Sequence, residues 1–586
     1  MRVWSSVFRP ISVSFVLLLS VVVSSRASEN ESGRCTTSME SMSSTLSTRA
    51  TDTGSIRSTE STVSPGSAWS ADGGRSSGST DSIGPTVTQA SRLLDQTTFG
   101  VRAIDITHVQ QIGLDAFITE QFNTSPTTLA ALSNPLPKAC MGDPGICFES
   151  EFWQTALTAP DQLRQRVAFA LSEMWVTSTQ TIDGNAAPQY YNTLLNDALT
   201  NWRTIMEDVT LSPAMGQYLS MANSSKPPAG QIANENYARE MMQLFSIGLV
   251  MLNNDGTIQT DASGDTIPVF TESQVEAFAR AYTGWTYATS TGAAPASFPY
   301  YAANYTMPMV GVDSAHDMTS KTLLNGVVLP AGQSASQDLE GALDNIFAHP
   351  NLPPFICKQL IQHLVTSTPS SAYVQRVSQV FINNGSGVRG DMAAVIRAIL
   401  MDAEARAGDS NADYDGGHLR EPVLYLTNVM QALKYMDTNT GTAKQGAYVG
   451  LRNYTSPLGE IPLRSSTVFN FFSPSYVIPG TTLNAPEFGL ENTAAAQLRL
   501  TLADQLSGNQ ISGFSGNLTV TSAMGQLAGN PSDLVDKLGV MFLHGQMPAA
   551  MKEMIVGEIS KLTDIGQRVR VAVYLVISSS EYKVMH

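Results

Sequence analysis

The chain has 586 residues, enough for about two to four domains or for one large domain with insertions. Charged residues make up only 14% of it, below the roughly 25% of typical soluble domains, while hydrophobic residues make up 42%. The formal net charge is -16 and no cluster of Lys and Arg occurs, which excludes nucleic acids and other polyanions as partners.

The N-terminus has the pattern of a secretory signal. Arg2 and Arg9 precede the apolar run Ile11–Val23, and small residues follow it. An uncleaved membrane anchor is the alternative, but the run falls short of the about 20 residues that a spanning helix needs. The sequence therefore predicts a signal peptide over residues 1–27, no transmembrane segment beyond it, and a secreted, periplasmic or cell-surface protein.

The remainder divides into a polar leader and a helical region. Residues 28–87 are rich in Ser, Thr and Gly with few aliphatic side chains, which predicts a disordered linker. From residue 88 apolar residues recur at helical spacing, as in Leu163, Val167 and Leu171. The pattern predicts a mainly α fold, a large multi-helix domain over 88–586, either as one body or as two lobes (88–285 and 316–586) joined by an aromatic-rich insertion.

Short motifs within this region predict individual turns and helix starts. Asn325-Gly326, between two apolar segments, predicts a type I′ hairpin over Lys321–Leu329. Asn254-Asp255-Gly256 predicts a second short hairpin. Thr271 followed by Gln274 predicts a capping box at a helix start. Residues 286–312 and 440–490, rich in aromatics, Gly and Pro, are expected to be long loop insertions of the kind that often carry function.

The chain has four cysteines. Cys140 and Cys147 bracket a loop containing Gly and Pro that allows the chain to turn back, and we expect a disulfide between them in an exported protein. A metal site is the weaker alternative, because the spacing is wide and no His lies nearby. The pairing of Cys35 and Cys357 stays open.

Several segments together resemble the domain of unknown function 1800 family, over nearly all of residues 88–586. The matching segments are Ser91–Gly100, Leu163–Glu173, Glu207–Met215, Asn234–Glu240, Gln243–Phe245, His316-Asp317 with Lys321-Thr322, Val388–Asp391, Arg420-Glu421-Pro422, Val468–Pro474 and Ser580–Val584. The resemblance implies an exported, largely helical bacterial protein. It also implies a possible partner, an exported protein similar to phosphatases and sulfatases, but no catalytic residue or cofactor.

The densest group of candidate catalytic residues is Glu235, Arg239 and Glu240, on a helix predicted from its apolar face. Glu235 and Arg239 are four residues apart and can pair on that helix. Two carboxylates and a guanidinium on one ridge suit acid/base work or metal binding. A structural charge network is the alternative.

The second candidate is His316-Asp317, in the loop before the predicted hairpin. A His beside a carboxylate suits a general base or a divalent metal. With Glu240, these two residues are the candidate ligands of a divalent cation. The alternative is a hydrogen-bonded turn without a catalytic role.

Other charged residues are expected to be structural. Interhelical salt bridges account for Arg166, Glu173 and Arg420-Glu421 as well as anion recognition does. His363, His418 and His544 are isolated in sequence, which is typical of core or surface histidines. The Gly-x-Ser-x-Gly, phosphate-loop, His-Glu-x-x-His and haem-attachment motifs are all missing from the sequence.

Three functions therefore remain for this sequence. The first is an exported scaffold or interaction protein, with no assigned reaction. The second is an extracellular hydrolase that uses Glu235, Glu240, His316 and Asp317, aided by Arg239. The third is carbohydrate binding through aromatic residues around Tyr300, Tyr301 and Tyr305.

Overall fold

The computed structural model describes residues 84–411, 416–438, 445–519 and 521–586. The predicted signal peptide and nearly all of the predicted linker lie outside the described residues. Residues 84–586 form one compact unit. Its core runs without interruption through residues of both predicted lobes, including Leu171, Phe278, Leu343 and Leu426.

The fold is mainly α-helical, as the sequence predicts. Its helices are α1 (Val87–Thr97), α2 (Ala103–Ile112), α3 (Leu114–Asn123), α4 (Pro144–Thr158), α5 (Gln162–Met174), α6 (Ala187–Asp197), α7 (Trp202–Leu211), α8 (Pro213–Tyr218), α9 (Asn236–Gln243), α10 (Glu272–Ala281), α11 (Ala335–Phe347), α12 (Leu352–Leu364), α13 (Ser371–Ile382), α14 (Met392–Met401), α15 (Pro422–Ala432), α16 (Arg452–Thr455), α17 (Thr493–Ser507), α18 (Ala523–Leu527), α19 (Pro531–Leu543), α20 (Ala549–Ser560), α21 (Ile565–Ile577) and α22 (Ser580–Lys583). In the described ranges, no helix combines the length and the apolar character needed to cross a membrane.

Strands are short and form two-stranded antiparallel pairs. They are β1 (Trp285–Thr286) with β2 (Val310–Gly311), β3 (Lys321–Thr322) with β4 (Val328–Leu329), β5 (His418–Leu419) with β8 (Val584–Met585), and β6 (Met436–Asp437) with β7 (Phe514–Ser515). The pair of β5 and β8 joins the C-terminus of the chain to the segment that precedes α15.

The predicted hairpin is present, with Lys321 opposite Leu329 and Thr322 opposite Val328. Asn325 and Gly326 have φ of 55° and 73°, the positive values that a type I′ turn requires. The last backbone hydrogen bond of the hairpin runs from the N–H of Leu323 to the carbonyl oxygen of Val327, at 2.7 Å. The loop therefore has three residues, one more than a two-residue type I′ hairpin loop. The capping box of Thr271 and Gln274 at the start of α10 is also confirmed.

The predicted disulfide between Cys140 and Cys147 is confirmed, with Cα atoms 5.4 Å apart. It ties the short 3₁₀ turn Lys138–Cys140 to the first turns of α4. Cys357, in α12, is buried and forms no disulfide within the described residues, whereas Cys35 lies outside them.

Two helices are buried on every side, which a single apolar stripe does not predict. All residues of α5 and α15 are buried, including Arg166 and Glu173 on α5. A fully buried helix with charged side chains must give them partners inside the protein, because an unpaired charge in the interior is costly. Polar chemistry in the centre of the fold is therefore expected along α5 and around the start of α15.

One such buried pair connects α1 to the start of α15. The guanidinium of Arg420 donates to both carboxylate oxygens of Asp95, at 2.6 and 2.5 Å. His544 Nε2 lies 2.9 Å from the same carboxylate, and Asn428 donates to it at 2.9 Å. Burial alone raises the pKa of Asp95, but Arg420 and His544 outweigh that effect and lower it.

Replacing Asp95 should be costly, because Arg420 would keep its charge in the interior without a partner. We expect Asp95→Asn to lower the free energy of unfolding at pH 7 by about 3–5 kcal/mol. Urea denaturation followed by circular dichroism measures the change. The control is Asp115→Asn, which removes a surface pair with Arg397 whose Asp side chain is 63% exposed, and which should cost at most about 1 kcal/mol. Equal losses in the two variants would contradict the role given to Asp95.

Candidate functional site

Glu235 and Arg239 form a surface network at the start of α9. Arg239 donates to Glu235 at 2.7 Å and to Glu272 of α10 at 2.6 Å. Since the Glu272 side chain is 64% exposed, the pair is well solvated. This geometry ties α9 to α10.

Glu240 lies one turn further along α9 and is half-buried. Burial raises the pKa of its carboxyl group, and Arg239 opposes this shift. Its Oε2 atom is buried without a hydrogen bond from the described residues.

His316 and Asp317 lie in a different, largely buried group. His316 Nε2 is 2.9 Å from Asp338 Oδ2, and its Nδ1 is 2.8 Å from the carbonyl oxygen of Thr283. Lys321 Nζ is 2.5 Å from the same Asp338 oxygen. Asp317 accepts a hydrogen bond from the backbone N–H of Thr319 at 2.8 Å. Oδ2 of Asp338 therefore has two partners within the chain, whereas its Oδ1 is buried without a hydrogen bond from the described residues.

The structure does not bring the two predicted groups together. Among the hydrogen bonds and ion pairs of the described residues, none joins Glu240 to His316 or Asp317. The catalytic and metal-binding roles of Glu235, Arg239, Glu240, His316 and Asp317 stay predictions.

A different group of side chains meets at the buried helices α5 and α15. Glu173 lies in the last turn of α5, His363 near the end of α12, and Glu421 is the residue directly before α15. One ligand atom from each of the three lies within 4.8 Å of the other two. In the described part of the chain this is the one group of three or more His, Cys, Asp or Glu side chains with such spacing.

The distances place His363 between the two carboxylates. Its Nδ1 lies 3.1 Å from Glu173 Oε2 and 3.9 Å from Glu421 Oε1. Two ligands of a tetrahedral metal ion are roughly 3.4 Å apart when each metal–ligand bond is about 2.1 Å. The three side chains therefore need only small movements to bind one ion.

A second histidine and a third carboxylate extend the group. His418 Nε2 in β5 lies 3.2 Å from Glu421 Oε1, while its Nδ1 lies 3.7 Å from Glu487 Oε1. Glu487 is fixed by hydrogen bonds from the hydroxyl of Ser367 and from the backbone N–H of Leu419 at 3.2 Å. The 3.7 Å contact is longer than a hydrogen bond, but Glu487 lies on the side of the ring where the orienting carboxylate of a metal-binding histidine is usually found.

Glu460 adds a fourth carboxyl group behind Glu421. Its Oε2 accepts a hydrogen bond from the backbone N–H of Val423 at 2.9 Å, in the first turn of α15. We call Glu173, His363, His418, Glu421, Glu460 and Glu487 the carboxylate–histidine cluster. Arg166 lies beside it, donating to the carbonyl oxygen of His363 at 3.3 Å.

The cluster is nearly dry. The side chains of Glu173, Glu421, His418 and Glu487 are at most 2% exposed, and that of His363 is 12% exposed. Several of its buried polar atoms have no hydrogen bond of acceptable geometry within the described residues, although buried polar groups are nearly always satisfied. These atoms are both oxygens of Glu173, both oxygens of Glu421, both ring nitrogens of His418 and Oε1 of Glu460.

Electrostatics within the cluster shift the pKa of several groups. Burial and the charge of Glu421 raise the pKa of Glu173 to about 7, and burial raises that of Glu460 well above its usual range. Burial would also raise the pKa of Glu421, but His363 and His418 outweigh it and lower it. Burial lowers the pKa of His363, and Glu173 and Glu421 reverse the shift to about 10. The surplus of carboxyl groups makes the cluster a strong acceptor for positive charge.

A small cavity of about 20 Å³ lies against the cluster, enough for one water or one cation. Its outer wall comes from the predicted insertion 440–490, through Phe469, Asn470 and Phe472. Phe469 is 47% exposed and marks the side open to solvent. The ring of Phe472 lies 6.2 Å from that of His363. A ligand reaching the cluster therefore meets an apolar entrance and a polar interior lined by carboxyl and imidazole groups.

Sequence reasoning missed this site because its members are far apart in the chain. The sequence places Glu173, Arg420-Glu421 and Val468–Pro474 in separate motifs, and it shows His363 and His418 only as isolated histidines. One feature of the sequence could have indicated the site: the segments that resemble the family carry charged residues on helices that are otherwise apolar. Their convergence depends on the tertiary fold.

The raised pKa of Glu173 predicts how the stability of the metal-free protein depends on pH. A group whose folded-state pKa is raised from 4.5 to about 7 stabilises the fold below pH 4.5, and that contribution is lost as the pH rises to about 7. In EDTA, we expect the free energy of unfolding to fall over this range, and Glu173→Gln to remove roughly 3 kcal/mol or less of the fall. Urea denaturation at a series of pH values measures this.

The matched control is Glu553→Gln, at an exposed position on α20. Its curve should follow that of the unchanged protein at every pH. A Glu173→Gln curve that also runs parallel to the unchanged protein would contradict the electrostatics described for the cluster.

Comparison of the sequence with known proteins identifies a family that covers nearly all of residues 84–586. No curated protein and no solved structure shows significant similarity to the chain. A family profile described as "Protein of unknown function (DUF1800)" matches residues 92–584, which include every member of the carboxylate–histidine cluster. The chain belongs to the DUF1800 family.

Proposed function

We propose that this protein is a divalent-metal-dependent hydrolase whose metal ligands are Glu173, His363 and Glu421. The observation that carries the proposal is the meeting of three ligand atoms within 4.8 Å in the protein interior. His363 and His418 lie 3.1 to 3.9 Å from these carboxylates, but none of the four carboxylate oxygens has a hydrogen bond of acceptable geometry within the described residues, and a divalent cation would compensate their burial.

The donor set selects the class of metal. Imidazole nitrogen together with carboxylate oxygen suits Zn²⁺, Mn²⁺ or Fe²⁺, whereas Mg²⁺ and Ca²⁺ favour oxygen alone. His418 is the fourth candidate ligand through Nε2, because Glu487 faces its Nδ1. A site with three or four protein ligands keeps room for a water or a substrate oxygen.

Hydrolysis is the reaction that such a site supports most directly. A bound divalent ion acidifies water and polarises a carbonyl or phosphoryl oxygen. Phe469 and Phe472 would limit the entry of bulk water from the solvent side, which strengthens electrostatic interactions inside the cavity. Asn470, whose Nδ2 is buried without a hydrogen bond within the described residues, would donate to a substrate oxygen.

Export is part of the same proposal. It is supported by the N-terminal pattern in the sequence and by the Cys140–Cys147 disulfide, which persists in oxidising compartments. A partner similar to exported phosphatases or sulfatases is supported by the family resemblance alone. The alternative function, an exported scaffold, differs in requiring no metal.

Metal content separates these functions. The purified protein, loaded with Mn²⁺ or Zn²⁺ and then desalted, should carry about one equivalent by elemental analysis. His363→Ala and Glu421→Gln should each lose most of it, because each removes a ligand. His108→Ala is the matched control, since that surface histidine pairs with Glu120 and is 41% exposed.

The same measurement on Glu240→Ala and His316→Ala tests the sites predicted from sequence. Our proposal expects both to retain the metal. If these two variants lose the metal while His363→Ala and Glu421→Gln retain it, the metal binds at α9 and the His316 loop and the proposed ligands are wrong. Absence of bound metal in the unchanged protein would leave the scaffold function.

Activity tests the catalytic half of the proposal. We expect the metal-loaded protein to hydrolyse at least one of p-nitrophenyl acetate, p-nitrophenyl phosphate and bis(p-nitrophenyl) phosphate, and EDTA to abolish the reaction. Glu421→Gln should lower kcat/KM by roughly 100-fold or more, since loss of a residue that only supports a metal ligand already costs about 10- to 100-fold. Equal rates for the unchanged protein and Glu421→Gln would show that the cluster does not catalyse the reaction.

A further inference from the structure

A second cavity of about 200 Å³ lies away from the carboxylate–histidine cluster and shares none of its residues. It is enclosed by the end of α6, the junction of α7 and α8, and the segment 305–308. Its lining consists of Gln189, Thr193, Asn196, Asp197, Asp208, Leu211, Ser212, Pro213, Tyr305, Thr306, Met307 and Pro308.

Two carboxyl groups face one another at this cavity. Asp197, at the end of α6, is buried, whereas Asp208 on α7 is exposed. Burial and the charge and hydrogen bond of Asp208 raise the pKa of Asp197 to about 7. Below about pH 7 the Asp197 carboxyl group therefore keeps its proton, so that the pair offers both a donor and acceptors to the cavity.

Tyr305 contributes an aromatic side chain to the lining, and its position is fixed by other residues. The Tyr305 ring packs edge-on against Tyr287, with centroids 6.4 Å apart. Its hydroxyl donates to Gln217 Oε1 at 3.1 Å. The ring contact and the hydroxyl hydrogen bond together hold Tyr305 in one position before any ligand binds, which lowers the entropic cost of binding.

The composition of the lining limits the ligand. It contains no Lys, Arg or His, so it offers no positive charge to an anion. It does contain amides, hydroxyls and carboxyls together with one aromatic ring, the combination that suits a molecule with hydroxyl groups around an apolar face. The volume is about ten times that of the cavity beside the carboxylate–histidine cluster, which makes it large enough for a small organic molecule such as a single sugar ring.

We propose that this cavity binds one neutral sugar ring, held by hydrogen bonds to Asp197, Asp208 and the polar side chains of α6, with Tyr305 against its apolar face. The site is independent of the metal centre. It would let the protein attach to a glycan while the carboxylate–histidine cluster remains free.

Isothermal titration calorimetry on the full chain tests the proposal. The probes are methyl α-glucoside, methyl α-mannoside, methyl β-galactoside and N-acetylglucosamine, each titrated separately, with CaCl₂ as a further arm. We expect at least one sugar to bind with a millimolar or lower Kd. Thr193→Phe, which places a ring in the cavity, should abolish that binding, and Asp197→Asn should weaken it at least tenfold.

Both variants should fold. Thr193 is partly exposed on α6, and Asn at position 197 keeps the shape and the neutrality that burial already favours. Their Tm should match that of Glu553→Gln, the surface control, which should also bind the sugar normally. Binding of no sugar, binding of Ca²⁺ alone, or unchanged sugar affinity in Thr193→Phe would each overturn the proposal.

Discussion

The buried ion pair between Arg420 and Asp95 is the interaction on which the centre of this structure depends. Arg420 also donates from Nε to the carbonyl oxygen of Tyr582 at 2.8 Å and lies over the Tyr582 ring, 4.8 Å from its centroid. One guanidinium thus connects α1, α15 and the C-terminal segment. Because Glu421 follows directly in the chain, the same anchor fixes the position of a carboxylate in the candidate site.

The carboxylate–histidine cluster is not explained by stability. The four buried glutamates destabilise the folded state, because their carboxylates repel one another and are desolvated. Replacing buried charged groups by apolar residues often leaves the free energy of unfolding unchanged or raises it. A fold that keeps buried carboxylate oxygens without hydrogen bonds, beside a cavity for one ion, breaks the ordinary rules of polar satisfaction. Unsatisfied buried groups of this kind are expected at functional sites, where a loss of folding stability is tolerated because the groups bind a ligand. By contrast, His316 has a full set of partners in Asp338 and Thr283, the arrangement expected of a structural histidine.

The sequence predicted the features that neighbouring residues determine. The Asn325-Gly326 turn, the Thr271 capping box and the Cys140–Cys147 disulfide each depend on a few consecutive residues and were found where expected. The site was not predictable in this way. Spacing along one helix favoured Glu235, Arg239 and Glu240, but that spacing describes a solvated surface pair equally well. Glu173, His363 and Glu421 come from three separate elements, and only the packing of the fully buried helices α5 and α15 shows that they meet.

The central claim is that a metal ion binds at this meeting point. A crystal of the protein grown with MnCl₂ or ZnCl₂, with data collected at the absorption edge of the metal, measures the position of the ion directly. We predict one strong anomalous peak about 2.0–2.2 Å from His363 Nδ1 and from a carboxylate oxygen of each of Glu173 and Glu421. A peak elsewhere, or none while His363 keeps its direct contact with Glu173, would contradict the account.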